Sequence, residues 1–261
     1  MKKSRGPVLI QACLNGATTR SAHFAVPLSA TELAHDARRS LNAGAAGLHV
    51  HARLPDGSET LDPGTCASLL SALRGRCPSI PICLTTSASA EGDPARRLAL
   101  ISNWTAMPDF VSVNMHEEGS LELVAVLRKQ GIRIEAGLRD VRTCEIFIES
   151  GLAAHCSHIL VEPAEPEPNA ASTTARTISQ MLTDAGIMLP QLHHGEGLAT
   201  WAVIEAALNA GHDIRIGLED TTQRPDGAAV TSNAELVAIA VELVYRHGHR
   251  PCLPSRNPAG D

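Results

Sequence analysis

The chain has 261 residues, of which 44% are hydrophobic but only 2% aromatic, and its formal charge is −6. That length allows one large α/β domain or two small ones, with a core resting on Ala, Val, Leu and Ile. The absence of a basic run argues against nucleic-acid binding. No apolar stretch reaches membrane-spanning length, and the start Met1-Lys2-Lys3-Ser4-Arg5 lacks the apolar run of a signal peptide. The expectation is a soluble, cytoplasmic protein.

In chain order, Pro7–Cys13 reads as a buried strand, followed by the polar loop Leu14-Asn15-Gly16-Ala17-Thr18-Thr19-Arg20. Ser29 and Glu32 form a capping box, and Leu33, Ala37 and Leu41 mark one helical face that ends at Gly44. Leu48-His49-Val50-His51-Ala52-Arg53 is the next strand. Asp62-Pro63 opens a helix through Leu73, and Ile80–Thr86 is a strand. Asp93-Pro94 starts a helix through Trp104, and Phe110–Met115 is a strand. A helix over 120–130 closes at Gly131. Ile132–Leu138 is a strand, and a helix over 143–150 closes at Gly151. His158–Glu162 is a strand ending in a Pro/Glu-rich loop. A helix over about 170–185 precedes the strand Ile187–His193. A helix over 200–210 precedes the strand Asp213–Leu218. Ser232 with Glu235 forms a second capping box, opening the helix that runs to His247.

Eight strands alternating with eight helices, every 25–35 residues or so, predict a (β/α)8 TIM barrel in a single domain over 1–250. Residues 251–261 are expected to form a surface tail. The main alternative, an open doubly wound sheet, would want a G-x-G-x-x-G turn after the first strand, and none is present. Seven cysteines at irregular spacing, without C-x-x-C, do not suggest a disulfide framework. Cys13 and Cys83 sit in apolar runs and read as small core residues.

A barrel of this kind carries its active site at the C-terminal ends of its strands. Side chains two apart on a strand share a face, so His49 and His51 point the same way with Cα atoms roughly 7 Å apart, within reach of one metal ion. An H-x-H pair alone fits two solvent-facing residues equally well. In the last strand Arg215, Gly217 and Glu219 share a face, with Asp220 just beyond. Glu219 is then a third ligand candidate or simply part of an acidic turn. Two imidazoles and a carboxylate leave an ion with an open position, the arrangement of a catalytic site. Asp220 with Arg215 beside it is a candidate base. Thr85, Ser112 and Asn114 are candidate hydrogen-bonding groups for a substrate carboxylate or enolate oxygen. The fifth strand carries Glu135, and the sixth ends at Glu162. Of His193 and His194, at most one faces the site. Arg20 and the loop His194-Gly195-Glu196-Gly197 are candidates for meeting a phosphate or nucleotide portion of a cofactor.

The chain resembles the β-keto acid cleavage enzymes. The likeness runs nearly end to end and rests on Leu14-Asn15-Gly16-Ala17, on Ala43–His51, on Ser112-Val113-Asn114, on Gly211–Asp220, and on Ser232-Asn233-Ala234-Glu235-Leu236-Val237. The resemblance implies a (β/α)8 fold, a homo-oligomer, commonly a tetramer, and a Zn²⁺ ion held by His49, His51 and Glu219. It also implies a Claisen-type exchange in which a β-keto acid and acetyl-CoA become acetoacetate and a new acyl-CoA. Asp220, activated by Arg215, would remove the α-proton. Thr85 falls where the family has a carboxylate-binding Ser, and Ser112 where it has a hydroxyl residue. Two features depart from the founding member. The Glu that follows Gly-Ala in the first loop is missing, since Gly16-Ala17 runs into Thr18-Thr19-Arg20, and the Ser-Thr-Gly turn is replaced by Thr85-Thr86-Ser87. The first points to a neutral or acidic keto acid rather than an amino-bearing one, and the second adds bulk at Ser87 that reshapes the pocket. Competing readings are an amidohydrolase-like metal-dependent hydrolase, a two-His-one-carboxylate iron oxygenase, and a non-catalytic metabolite-binding paralogue.

Overall fold

The computed structural model describes residues 6–252; the basic start and tail residues 253–261 lie outside them. Strands β2 (Ile10–Cys13), β3 (Gly47–Val50), β4 (Ile82–Thr85), β5 (Phe110–Asn114), β6 (Arg133–Leu138), β7 (His158–Val161), β8 (Gln191–His193) and β9 (Asp213–Ile216) close into a parallel barrel in chain order. Helices α1 (Ala30–Ala43), α2 (Pro63–Arg76), α3 (Pro94–Ser102), α4 (Ser120–Lys129), α5 (Val141–Ser150), α6 (Pro168–Asp184), α7 (Thr200–Ala210) and α8 (Asn233–Arg246) alternate with them. The expected (β/α)8 barrel is the observed fold. Among the described residues no helix is long and apolar enough to cross a membrane.

Local chemistry accounts for most helix ends. Ser29 and Glu32 form a complete capping box, and Asp62 and Asp93 cap helices with proline at the first turn. The second expected box is only half formed. Ser232 Oγ accepts from Glu235 N, but the Glu235 carboxylate turns to the amide and hydroxyl of Thr231. Helix α6 begins earlier than its apolar pattern suggests, because Glu167 caps it ahead of Pro168.

The run from Pro7 to Cys13 is two strands rather than one. Pro7–Val8, as β1, pairs in parallel with β10 (Arg250–Pro251) outside the barrel. The break falls at Leu9, whose amide donates to Asp213 Oδ1 at 2.7 Å. The chain therefore remains bound to the barrel's N-terminal side through Cys252, whose amide donates to Val8 O.

Alternation along each strand divides the interior in two. Leu48, Val50, Ile82, Leu84, Val111, Ile134, Ile159, Ile214 and Ile216 point outward and are buried against the helices, each worth about 1.5–3 kcal/mol. The lumen is polar. Gln11 of β2 donates to both oxygens of Glu135 on β6, strands on opposite sides of the barrel, so both side chains project into it. Cys83 shares that layer. Burial raises the Glu135 carboxyl above its usual range.

Candidate active site

A cavity of about 590 Å³ opens at the C-terminal ends of the strands. On one wall, β3 presents His49 and His51 from the same face, as strand parity requires. Their Nε2 atoms lie 3.1 Å apart. Glu219 Oε1 stands 3.6 Å from His49 Nε2 and 3.3 Å from His51 Nε2. Three ligand atoms separated by 3.1–3.6 Å match the edges of a tetrahedron around an ion with bonds of about 2.0–2.2 Å. Buried Glu219 Oε2 and His49 Nδ1 have no hydrogen-bond partner. The donor set thus fits a divalent cation with an open position toward the cavity. A second convergence, His49, Cys83 and Glu135, lies deeper in the lumen.

The triad is assembled by its neighbours. His51 Nδ1 is hydrogen-bonded to Glu59, which fixes the ring and leaves Nε2 facing the site. Glu59 arrives through the antiparallel bridge between Arg53 and Glu59. Asn15 clamps the His51 backbone in both directions, Nδ2 to His51 O at 2.9 Å and His51 N to Oδ1 at 3.0 Å. Gly16, at φ +50°, leaves room for Glu219: a Cβ there would sit 2.1 Å from Glu219 Cγ. Asn233 secures the two strand ends, accepting from Leu218 N and donating to Leu14 O.

Glu219 and Asp220, adjacent in the chain, both face the cavity. The strand ends at Ile216, and a turn follows in which the amides of Asp220 and Thr221 both donate to Gly217 O. Gly217 permits the close approach of β2, since a Cβ there would meet Cys13 O at 1.7 Å. Arg215 Nη2 then bridges the two carboxylates, 2.6 Å from Glu219 Oε1 and 2.9 Å from Asp220 Oδ1. Burial works against ionising Asp220, but Arg215 and His194 outweigh it and hold the carboxyl below its usual range. Arg215, His49 and His51 do the same for Glu219. Cys13 is fully buried, as expected of a core residue, and it also supports the site from beneath. Its Sγ donates to Asp220 Oδ2 at 2.6 Å, and burial keeps it a thiol.

The opposite wall carries Thr85, Ser112 and Asn114, all lining the cavity as expected. Thr85 Oγ1 accepts from Ser87 N. Glu117 anchors this side, accepting from Asn114 Nδ2, Ser87 Oγ and Ala88 N while paired with buried Arg97 at 2.8 Å. Glu162 and Arg139 complete the wall.

The two adjacent histidines on β8 separate as parity demands. His194 lines the cavity, with Nδ1 3.2 Å from Asp220 Oδ1 and Nε2 3.4 Å from Glu162 Oε2. Burial and Arg215 lower its pKa, but Asp220 and Glu162 prevail and raise it to about 9. His193 points outward, stacks on His212 at 4.6 Å and is held by Gln191. Arg20 is not brought to the cavity. It pairs with Glu32, the helix-capping acid of α1, at the surface. Glu59 and Glu117 carry no sequence signal for these roles, because each acts through a loop closure that local pattern does not encode.

Comparison with known proteins gives the family. A family model described as beta-keto acid cleavage enzyme matches residues 7–257. The chain is 25% identical to a 3-keto-5-aminohexanoate cleavage enzyme of Fusobacterium nucleatum subsp. nucleatum, covering 95% of this chain and 94% of that one. It is 22% identical to the enzyme of the same name from Acetoanaerobium sticklandii, covering 95% of each. Among solved structures, the complex of ObcA with oxaloacetate superposes with a TM-score of 0.71 at 16% identity. That match covers 88% of this chain, which spans 65% of the ObcA chain. At that identity it speaks to the fold alone.

Proposed function

We infer the reaction from the premise that the chain belongs to the β-keto acid cleavage enzyme family, a group named for breaking carbon–carbon bonds. The proposed activity is exchange of a β-keto acid with acetyl-CoA, giving acetoacetate and a new acyl-CoA. The observation that carries it is the convergence of His49, His51 and Glu219 beside an ionised Asp220 held by Arg215. A divalent cation bound by those three residues, Zn²⁺ in this reading, supplies a Lewis acid for a bound keto oxygen.

The remaining roles belong to the chain itself. Asp220 takes the α-proton, and Arg215 fixes its orientation and keeps it a carboxylate in a buried setting. Thr85, Ser112 and Asn114 hold the substrate carboxylate on the far wall. The enolate carbon attacks the acetyl thioester, CoA departs and returns, and a retro-Claisen step divides the chain. With Ala17 and Thr18 at the mouth, and no acid from that loop, the keto acid is neutral or acidic.

Acetyl-CoA-dependent acetoacetate formation, measured across a panel of keto acids with metal analysis of the purified protein, tests this. Wild type should turn over with about one divalent ion per chain, and Glu219→Gln and Asp220→Asn should each lose about 10²–10⁴-fold. Full turnover by metal-free protein would overturn the mechanism. Activity confined to an amino-bearing keto acid would overturn the substrate assignment.

A further inference from the structure

Joining an enolate to a thioester builds negative charge on two oxygens in turn. The first is the keto oxygen of the nucleophile, and the second is the thioester carbonyl oxygen as the new bond forms. These oxygens belong to different reactants, so a site that runs the reaction needs two places prepared for charge. The wall of His49, His51 and Glu219 is one. The second calls for a buried N–H donor near the reacting carbons that is not committed elsewhere. Arg215 Nη2 is engaged by Glu219 and Asp220. The Asn114 amide donates to Glu117. Arg139 is half exposed at the rim.

His194 differs from all three. Its ring is 3% exposed and lines the cavity beside Asp220. Both ring nitrogens lie within ion-pair distance of a carboxylate, yet neither contact meets hydrogen-bond geometry. The ring thus has charged neighbours but no aligned acceptor, so an N–H can turn to an oxygen that arrives in the cavity. The backbone fixes its position relative to Asp220. The amide of Gly197 donates to Asp220 O at 2.7 Å, and Thr200 Oγ1 donates to Gly195 O at 3.0 Å. So deep a ring meets the reacting end of a CoA thioester rather than its phosphates.

We propose that His194 is a further catalytic residue, whose ring N–H hydrogen-bonds the oxyanion formed when the enolate carbon attacks the acetyl-CoA carbonyl. The enolate electron pair forms the carbon–carbon bond, and the carbonyl π pair moves to oxygen, where His194 meets it. Return of that pair re-forms the carbonyl, breaks the carbon–sulfur bond and releases the CoA thiolate. The proposal rests on the exchange reaction inferred above.

Two measurements on the holoenzyme separate the two. Solvent-deuterium exchange at C2 of acetoacetate, followed by NMR, reads proton removal alone. Transfer of a ¹³C-acetyl group from acetyl-CoA into unlabelled acetoacetate reads proton removal and condensation together. For His194→Gln, acetyl transfer should fall about 10²–10³-fold while C2 exchange changes only a few-fold. His194→Asn, with its amide nearer the Nδ1 position, provides a second test should the first variant fold poorly. An equal fall in both rates would mean that His194 acts through Asp220, and unchanged acetyl transfer would leave it without a role. Either result overturns the proposal. Wild type that does neither would instead remove the exchange reaction itself.

Discussion

Two pairs of histidines ride on barrel strands, and one residue of spacing separates their surroundings. His49 and His51 lie two apart on β3, share a face and converge to 3.1 Å. His193 and His194 are adjacent on the edge of β8 and part company: one packs under α6 and α7 against His212, the other enters the cavity. The same side chain is thus a ligand candidate, a packing group or a cavity donor according to parity and neighbours. Carboxylates decide the rest. His51 is held by Glu59 and Glu219, which raise it to about 9 against burial. Among the described residues no acid offsets the burial of His193, which holds it well below its usual value.

The sharpest break of this comparison is removal of a histidine from each pair. His49→Ala takes away one of the three proposed ligands and should weaken divalent-metal binding by more than about 100-fold, because loss of a direct ligand exceeds the 10–100-fold typical of a supporting residue. His193→Ala should leave metal affinity unchanged, since its ring faces the helices. Chelator competition with a metal-responsive dye reads both. Equal losses would show that the His49 wall and the outer face of β8 are coupled through the barrel.

These roles were unevenly legible from the chain alone. Period and punctuation gave the barrel, because each helix carries its own cap or glycine stop and each strand a short apolar run. Parity puts His49, His51 and Arg215 on cavity-facing positions, and Asp220, read as the first residue past the last strand, reaches the cavity through the turn at Gly217. Cys13 reads as core from its apolar neighbours and is buried there, but its contact with Asp220, 207 residues away, has no local signal. Nor did the Pro7–Cys13 run contain a signal for its division, which depends on a hydrogen bond from Leu9 to distant Asp213. Long-range closure, not local preference, set each of these.

Glu59 sharpens the comparison at a smaller scale. It is the supporting acid that His51 has and His193 lacks, and nothing around it reads as a site from sequence. Glu59→Gln keeps the shape but loses the charge, and should cost about 10–100-fold in metal affinity through a less well-oriented His51 ring. Unaltered affinity would mean that Asn15 and the strand alone position the ring.

The smallest effect is also the most discriminating, because the neighbours His193 and His194 carry opposite signs of pH dependence. His193 stays neutral in the fold, so the unfolded chain takes up the extra proton as pH falls below about 6.5. Stability is lost on the acid side. The stacked His212, also lowered by burial, adds to the same limb. His194 is raised to about 9 among Asp220, Glu162 and Arg215, so its contribution is whole below about 6.5 and fades as pH rises through about 9. Either slope is limited to about 1.4 kcal/mol per pH unit for one proton. Urea unfolding at a series of pH values should therefore show His193→Gln flattening the acid limb alone and His194→Gln the alkaline limb alone. If both variants flattened the same limb, the two rings would not occupy the opposed environments that adjacent positions on β8 impose.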